Sequence, residues 1–217
     1  MRKQGLPSID GISEDRMSSP QAKRMPGRIG PNAIIRTAEA LCVLEGSQQA
    51  DRVFQMAHLD HYLGNLPEQM IDECEVTALH HALCDLLGDD RAGAVSAMAG
   101  RLTGDYLMRH RIPIPAQIVL RRLPARLASR LLSNAIGKHA WTFAGTGRFT
   151  VRHGRPATFE ITGCPLCRGQ TTSRAVCDFY AATFERLFSS LVHRNARAVE
   201  VACEAKGDIA CRFEVLW

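Results

Sequence analysis

Apolar residues recur at spacings of three and four from residue 31 to residue 137, and at every second position in much of 138–217. A chain that is helical throughout its first half and brings in strands only after Gly137 belongs to the α+β class rather than to an alternating βαβ architecture. Five helical stretches precede the switch. Pro31 suits a first helical position, and Ile34, Ile35, Ala38, Leu41 and Cys42 keep the period until Gly46 stops it. Ser47 reads as the cap of a second helix carrying Ala50, Val53, Phe54 and Ala57. Pro67 opens a third, with Met70, Ile71, Cys74, Ala78, Leu79, Ala82, Leu83 and Leu86. Asp90 opens a fourth, with Val95, Met98, Ala99, Leu102 and Tyr106. The stretch after Ile112-Pro113-Ile114-Pro115 is broken or restarted at Pro124, and its second half places Leu127, Leu131, Leu132 and Ile136 on one side.

Beyond Gly137, residues 140–151 and 156–162 read as strands joined through His153-Gly154-Arg155. A helix comes next over about 172–193, with Val176, Tyr180, Phe184, Leu187 and Leu191 inward. Residues 198–205 and 209–217 form two more strands around Lys206-Gly207-Asp208. The turns are short, so each strand pair is expected to be antiparallel and the second half to be a ββαββ unit. Residues 1–30 have four Gly, three Pro, six basic residues against three acidic ones and no apolar period, and read as a disordered basic tail. The remainder divides into a helical part, 31–137, and a ββαββ part, 138–217.

With 217 residues and 46% hydrophobic content, the chain can bury one core without staples, and a collagen, a mucin or a wholly disordered chain is excluded. Eight cysteines are too few for a disulfide scaffold and read as buried thiols, reactive thiols or metal ligands. Cys42, Cys74 and Cys84 fall within the expected helices and read as packing residues. The basic start lacks the apolar stretch of a secretory signal, and no window approaches the ~18 apolar residues that span a bilayer. A cytoplasmic protein is expected, with membrane contact, if any, peripheral.

The formal charge of +5 hides a segregation. Residues 51–90 hold nine acidic side chains against Arg52 alone, and residues 101–155 hold eleven basic ones against Asp105 alone. Two solvated faces account for this, and so does an Arg-rich surface that accepts carboxylates of a ligand or an acidic partner. A nucleic-acid partner is disfavoured, because no binding motif is present and only three Tyr and two Trp are available for stacking.

The C-terminal hairpin carries the sharpest chemical signal. If Lys206, Gly207 and Asp208 form its loop, Ala205 pairs with Ile209 and Cys203 lies opposite Cys211, with Cβ atoms about 4.5–5.5 Å apart. Two thiolates at that distance can share a metal. Cys177 on the preceding helix could supply a third sulfur, and Glu200 or another group a fourth donor, a set that suits Zn²⁺. Strict alternation sends Glu200 to the face opposite Cys203, so its participation requires a bulge or a strand that begins after it. Three buried thiols behaving as small hydrophobes fit the same spacing. Cys164-Pro165-Leu166-Cys167 is open between a redox pair, half a zinc site and a turn with two ordinary thiols.

Several segments together resemble the 4-vinyl reductase domain family, most closely its branch in bacteriochlorophyll biosynthesis. They are Ala140-Trp141-Thr142-Phe143-Ala144-Gly145-Thr146-Gly147, Cys164-Pro165-Leu166-Cys167-Arg168-Gly169, Cys177-Asp178-Phe179-Tyr180, and Glu200…Cys203…Gly207-Asp208…Cys211-Arg212-Phe213-Glu214-Val215. The resemblance spans roughly residues 31–217. It implies a ligand-binding fold related to TRAPP-subunit and haem-NO-associated domains, with helices around an apolar pocket, and often dimeric. It also implies a structural zinc on Cys177, Glu200, Cys203 and Cys211, and assigns no metal role to Cys164 or Cys167.

The function so implied is handling of a Mg-tetrapyrrole, a divinyl protochlorophyllide or chlorophyllide, as carrier or accessory alongside other bacteriochlorophyll biosynthesis enzymes. The family's name asserts reduction of the vinyl group itself. No G-x-G-x-x-G between strand and helix and no four-cysteine iron–sulfur spacing is visible, so a reductase would need an external electron donor. A small-molecule sensor or adaptor domain is a third reading. For a pigment, His139 and Trp141 offer a ligand and a stacking surface, and Arg148 and Arg152, with Lys138, offer partners for propionates. His58 and His61 at i, i+3, and His80 and His81, are further imidazoles that could ligate magnesium, though a hydrogen-bonded structural role suits each of them.

Overall fold

The structure, a computed structural model, describes residues 27–217. The first 26 residues of the expected tail lie outside the described residues. Order begins ahead of Pro31: Arg28–Ile29 (β1) pairs antiparallel with Ile71–Asp72 (β2), and Ile29 is buried. The helical half comprises Asn32–Glu45 (α1), Ser47–Met56 (α2), Glu73–Leu87 (α3), Asp89–His110 (α4), Ile114–Arg122 (α5) and Ala125–Lys138 (α6). The second half holds Arg148–Arg152 (β3), Ala157–Thr162 (β4), Asp178–Leu191 (α7), Arg197–Ala202 (β5) and Cys211–Leu216 (β6). It is the expected ββαββ unit. All neighbours in its sheet are antiparallel, in the order β3-β4-β6-β5, so the last strand lies between β4 and β5.

One face of this sheet is apolar. Phe149 and Val151 of β3, Phe159 and Ile161 of β4, and Cys211, Phe213 and Val215 of β6 are in register across it. α7 lies on that face with Phe184, Leu187, Phe188 and Leu191 buried. The rings of Phe143, Phe149, Phe159, Tyr180, Phe184 and Phe213 meet at centroid distances of 4.7–6.3 Å and fill the layer between helix and strands. On its other side α7 packs against α4. The inward residues of α4 are Ala92, Gly93, Val95, Ser96, Ala99, Gly100, Thr103 and Gly104, smaller than the Met98, Leu102 and Tyr106 that periodicity favours, which are only part-buried. The small face has a reason. A Cβ on Gly100 would collide with the Phe179 carbonyl oxygen, and Thr183 Oγ1 donates to the Gly100 carbonyl at 3.1 Å.

Several boundaries differ from expectation. Gly46, at φ 84°, occupies the cap position of α2, and Ser47 is already helical. α3 starts at Glu73 rather than Pro67, because Asp72 accepts the N–H of Cys74 and caps it there. The strand expected from residue 140 begins at Arg148. Residues Ala140–Thr142 form a single 3-10 turn whose N–H groups bond backward, and Gly145 turns the chain at φ 57°. Trp141 and Phe143 are spaced two apart by this turn: Phe143 enters the aromatic layer and Trp141 points to solvent. The final hairpin has a longer connection than three residues, with a 3-10 turn at Glu204–Lys206 and Ile209 exposed, so Ala205 and Ile209 do not pair.

Candidate metal centre

β4 and β6 are neighbours, and Ile161 stands opposite Cys211. The Cys-Pro-Leu-Cys loop that leaves β4 is thereby delivered beside the loop between β5 and β6. Cys177, at the N-cap of α7 rather than within the expected helix, arrives from above the sheet. Cys164, Cys167, Cys177, Cys203 and Cys211 are all free thiols and all buried. Their Sγ separations are 3.6 Å for Cys164–Cys177, 3.4 Å for Cys167–Cys211, 3.7 Å for Cys177–Cys211 and 4.0 Å for Cys203–Cys211. A tetrahedral ion with metal–sulfur bonds of about 2.3 Å holds its sulfurs about 3.8 Å apart, so the spacing is that of ligands to a common ion.

Glu200 joins them through a bulge. Glu200 pairs with Phe213 and Ala202 with Arg212, leaving Val201 unmatched. The extra residue resets the alternation, so that Glu200 and Cys203 both face inward. Glu200 Oε2 accepts the N–H of Cys177 at 2.8 Å, while its buried Oε1 has no partner. Burial, and then the charge of Cys203, pushes the Glu200 carboxyl up to about 9. A carboxylate oxygen without a donor among sulfurs at ligand spacing fits a cation. The sulfurs respond likewise. Contact with Cys164 and the others holds the Cys167 thiol far below the usual range, while contact with Cys164 and Cys167 pushes Cys177 and Cys211 up. Thiols this close cannot all ionise without a positive charge among them.

The ligand loops are fixed by charged neighbours. The Glu204 carboxylate accepts the N–H groups of Gly163 at 2.6 Å and Cys164 at 2.8 Å, and the Glu204 N–H donates to Cys211 Sγ at 3.4 Å. Asp208 Oδ2 accepts the Cys203 N–H at 2.8 Å. Arg168 donates to the Gly163 carbonyl at 2.8 Å and to Glu73 at 2.7 Å. Glu73, Arg168 and Glu204 are positions that sequence periodicity passes over. So is the nearness of Cys164 and Cys167 to the other sulfurs, since it depends on the β4–β6 adjacency. The only local signal was a C-x-x-C immediately after a strand.

The other singled-out residues lie elsewhere. His139 is exposed at the end of α6, with Nδ1 2.9 Å from the Ala135 carbonyl, and Trp141 is 63% exposed. Arg148 and Arg152 project from the outer face of β3, away from α7, and Arg152 donates to Glu160 at 3.0 Å. His58 and His61 do not share a helical face, because α2 ends at Met56 and His58 takes φ 58°. His81 is 2.8 Å from the Arg168 carbonyl. His80 is buried edge-on to Phe179, and burial pushes its imidazole down to about 4. Cys42 and Cys74, expected as packing residues, are exposed. Among the described residues, two clefts are lined chiefly by polar side chains. One of about 310 Å³ is bounded by His81, Cys84, Asp85 and Asp89, and one of about 350 Å³ by Arg126, Ser129, Arg130, His153 and Arg155.

Known proteins share both the sequence and the fold. The 4-vinyl reductase domain family matches residues 157–216, the segment that holds all five buried cysteines. The chain is 44% identical over 190 residues to the bacteriochlorophyll synthase 23 kDa chain of Cereibacter sphaeroides, covering 87% of this chain and 90% of that one. It is 40% identical over 186 residues to the protein of the same name from Rhodobacter capsulatus, covering 86% and 85%. Among solved structures, an unliganded Fe(II) H-NOX mutant from K. algicida superposes with a TM-score of 0.57 at 14% identity, covering 87% of this chain and 96% of that one. That likeness is one of fold.

Proposed function

The chain belongs to the 4-vinyl reductase domain family, together with the bacteriochlorophyll synthase 23 kDa chains, and from that premise we propose that it works in bacteriochlorophyll biosynthesis. In this reading it binds a magnesium tetrapyrrole of the divinyl protochlorophyllide or chlorophyllide class, as a carrier or accessory to reduction of the vinyl group. The 44% identity to the Cereibacter chain, over most of both chains, carries the assignment to the pathway. Support for the ligand is the exposed indole of Trp141, a flat apolar surface with Lys138 and His139 close by in the sequence. Arg148 and Arg152 add guanidinium groups that pair with carboxylates.

Cys177, Glu200, Cys203 and Cys211 hold a structural Zn²⁺ in this reading, supported by their mutual spacing within 4.8 Å and by the unpartnered Glu200 Oε1. The ion would tie the start of α7 to the last hairpin.

The protein works in the cytoplasm at a membrane surface, next to the enzymes that make and consume the pigment. Among the described residues, no helix is long and apolar enough to cross a membrane. On α5 and α6, however, Ile114, Ile118, Val119, Leu127 and Leu131 are exposed among Arg121, Arg122, Arg126 and Arg130. Apolar side chains flanked by arginines suit the headgroup region of an anionic bilayer.

Titration of the purified protein with divinyl protochlorophyllide tests the ligand. A shifted Soret band with quenching of tryptophan emission, weakened at least tenfold in Trp141→Ala, is the expected result. An unchanged Soret band at saturating pigment rejects it.

A further inference from the structure

The centre offers more donors than one tetrahedral ion can use. Its ligand atoms fall into two sets of four, Cys164, Cys167, Cys177 and Cys211 on one side and Cys177, Glu200, Cys203 and Cys211 on the other, and within each set all lie within 4.8 Å of one another. The sets have Cys177 and Cys211 in common, with their Sγ atoms 3.7 Å apart. Two tetrahedra that share an edge have six vertices: two held in common and two private to each. The six donors here are divided in that way.

We propose that the chain binds two divalent ions in a thiolate-bridged binuclear centre. Cys177 and Cys211 bridge, Glu200 and Cys203 complete the coordination of one ion, and Cys164 and Cys167 complete that of the second. The proposal rests on the zinc reading of the first set and adds a second metal to it. Charge favours the pair of ions. Five thiolates and one carboxylate carry six negative charges, and two Zn²⁺ leave a net of two, the same remainder as one Zn²⁺ in a four-cysteine site. A single ion on the first set leaves the Cys164 and Cys167 sulfurs packed against its ligands, at 3.6 Å from Cys177 and 3.4 Å from Cys211, with no metal of their own. The surroundings serve both halves at once. Glu204 donates its N–H to the bridging Cys211 and fixes the Cys164 loop with its carboxylate, so one residue orients ligands of both ions.

The test is the metal content of the full-length protein loaded with Zn²⁺ and freed of excess, counted by elemental analysis and by release to a chromogenic chelator on thiol modification. Two equivalents per chain are expected, falling to one in Cys164→Ser/Cys167→Ser. The Co²⁺-loaded protein adds a spectroscopic signature. Two cobalt ions coupled through shared thiolates give a depressed high-spin EPR signal, and the double variant restores the signal of an isolated ion. One equivalent in the wild type, whichever cysteines it depends on, with a full-strength cobalt signal overturns the binuclear centre. If that equivalent is lost in Cys203→Ser and kept in Cys164→Ser/Cys167→Ser, the single zinc site survives. Absence of bound metal overturns both. If the double variant does not fold, the wild-type count and cobalt signal decide alone.

Discussion

Arg168 donates to the buried carboxylate of Glu73 at 2.7 Å, joining the loop that carries two of the cysteines to the first turn of α3. The same carboxylate accepts the N–H of Thr146 at 2.7 Å and its hydroxyl at 2.5 Å. Burial raises the Glu73 pKa, but Arg168 and Thr146 outweigh it and hold the carboxyl below its ordinary value. One ionised side chain therefore docks the turn before β3 and the cysteine loop onto the helical half.

Removing Arg168 leaves that carboxylate buried with two of its three hydrogen bonds and no counter-charge. Loss of one member of a buried pair costs about 3–5 kcal/mol, and the partial exposure of the guanidinium brings the expectation for Arg168→Ala down to about 2 kcal/mol. Urea unfolding measures it, and the Arg168→Ala/Glu73→Gln pair should recover part of the loss. A change under about 0.5 kcal/mol in Arg168→Ala contradicts the docking role.

Gly100 is the tightest point of the α4–α7 crossing. A methyl group there meets the Phe179 carbonyl, and overpacking of this kind costs about 1–3 kcal/mol. Gly100→Ala should lower Tm by several degrees, whereas Ala94→Ser, at an exposed position on the same helix, should leave it nearly unchanged. Equal Tm values for the two variants would show that the helices can move apart freely.

His80 sets an acid limit. Its folded-state pKa of about 4 lies below the ordinary imidazole value, so the unfolded chain takes up the proton first as pH falls. The stability from keeping this ring neutral is whole above about pH 6.5 and drains away toward pH 4, by up to about 3 kcal/mol. His80→Gln should flatten the profile across that window. An identical slope in wild type and variant places the acid sensitivity in other groups.

The α5–α6 face should carry the protein onto vesicles of phosphatidylglycerol and phosphatidylcholine but not onto phosphatidylcholine alone. At about 1 kcal/mol per basic residue near an anionic surface, Arg121→Glu/Arg122→Glu/Arg126→Glu should weaken sedimentation with vesicles by more than tenfold. Raised salt should act in the same direction. Salt-independent binding, or equal binding to neutral vesicles, rejects this face as the contact.

Much of the architecture was legible in the sequence. The change of pattern after Gly137 separated the all-helical half from the half that holds the strands, and the ββαββ order came from turn residues at 153–155 and 206–208 and the helical period between them. What misled was local spacing without tertiary context. Trp141 and Phe143 alternate as in a strand but sit on a helical turn, and the large residues of α4 are displaced from its inner face by the nearness of α7. The hairpin pattern and the family likeness singled out Cys177, Glu200, Cys203 and Cys211. Cys164 and Cys167 could not be joined to them, because the strand order that inserts β6 beside β4 is a long-range fact with no local signature.

The unmatched Val201 makes the hairpin a matter of counting. Most surface strands tolerate substitution at every outward position, and an outward Val201 should accept many residue types. Its deletion is another matter. Shortening the strand by one residue would turn Glu200 toward solvent while leaving every cysteine in the sequence. In this segment, insertions and deletions are therefore under tighter restraint than the identity of the residue they add or remove.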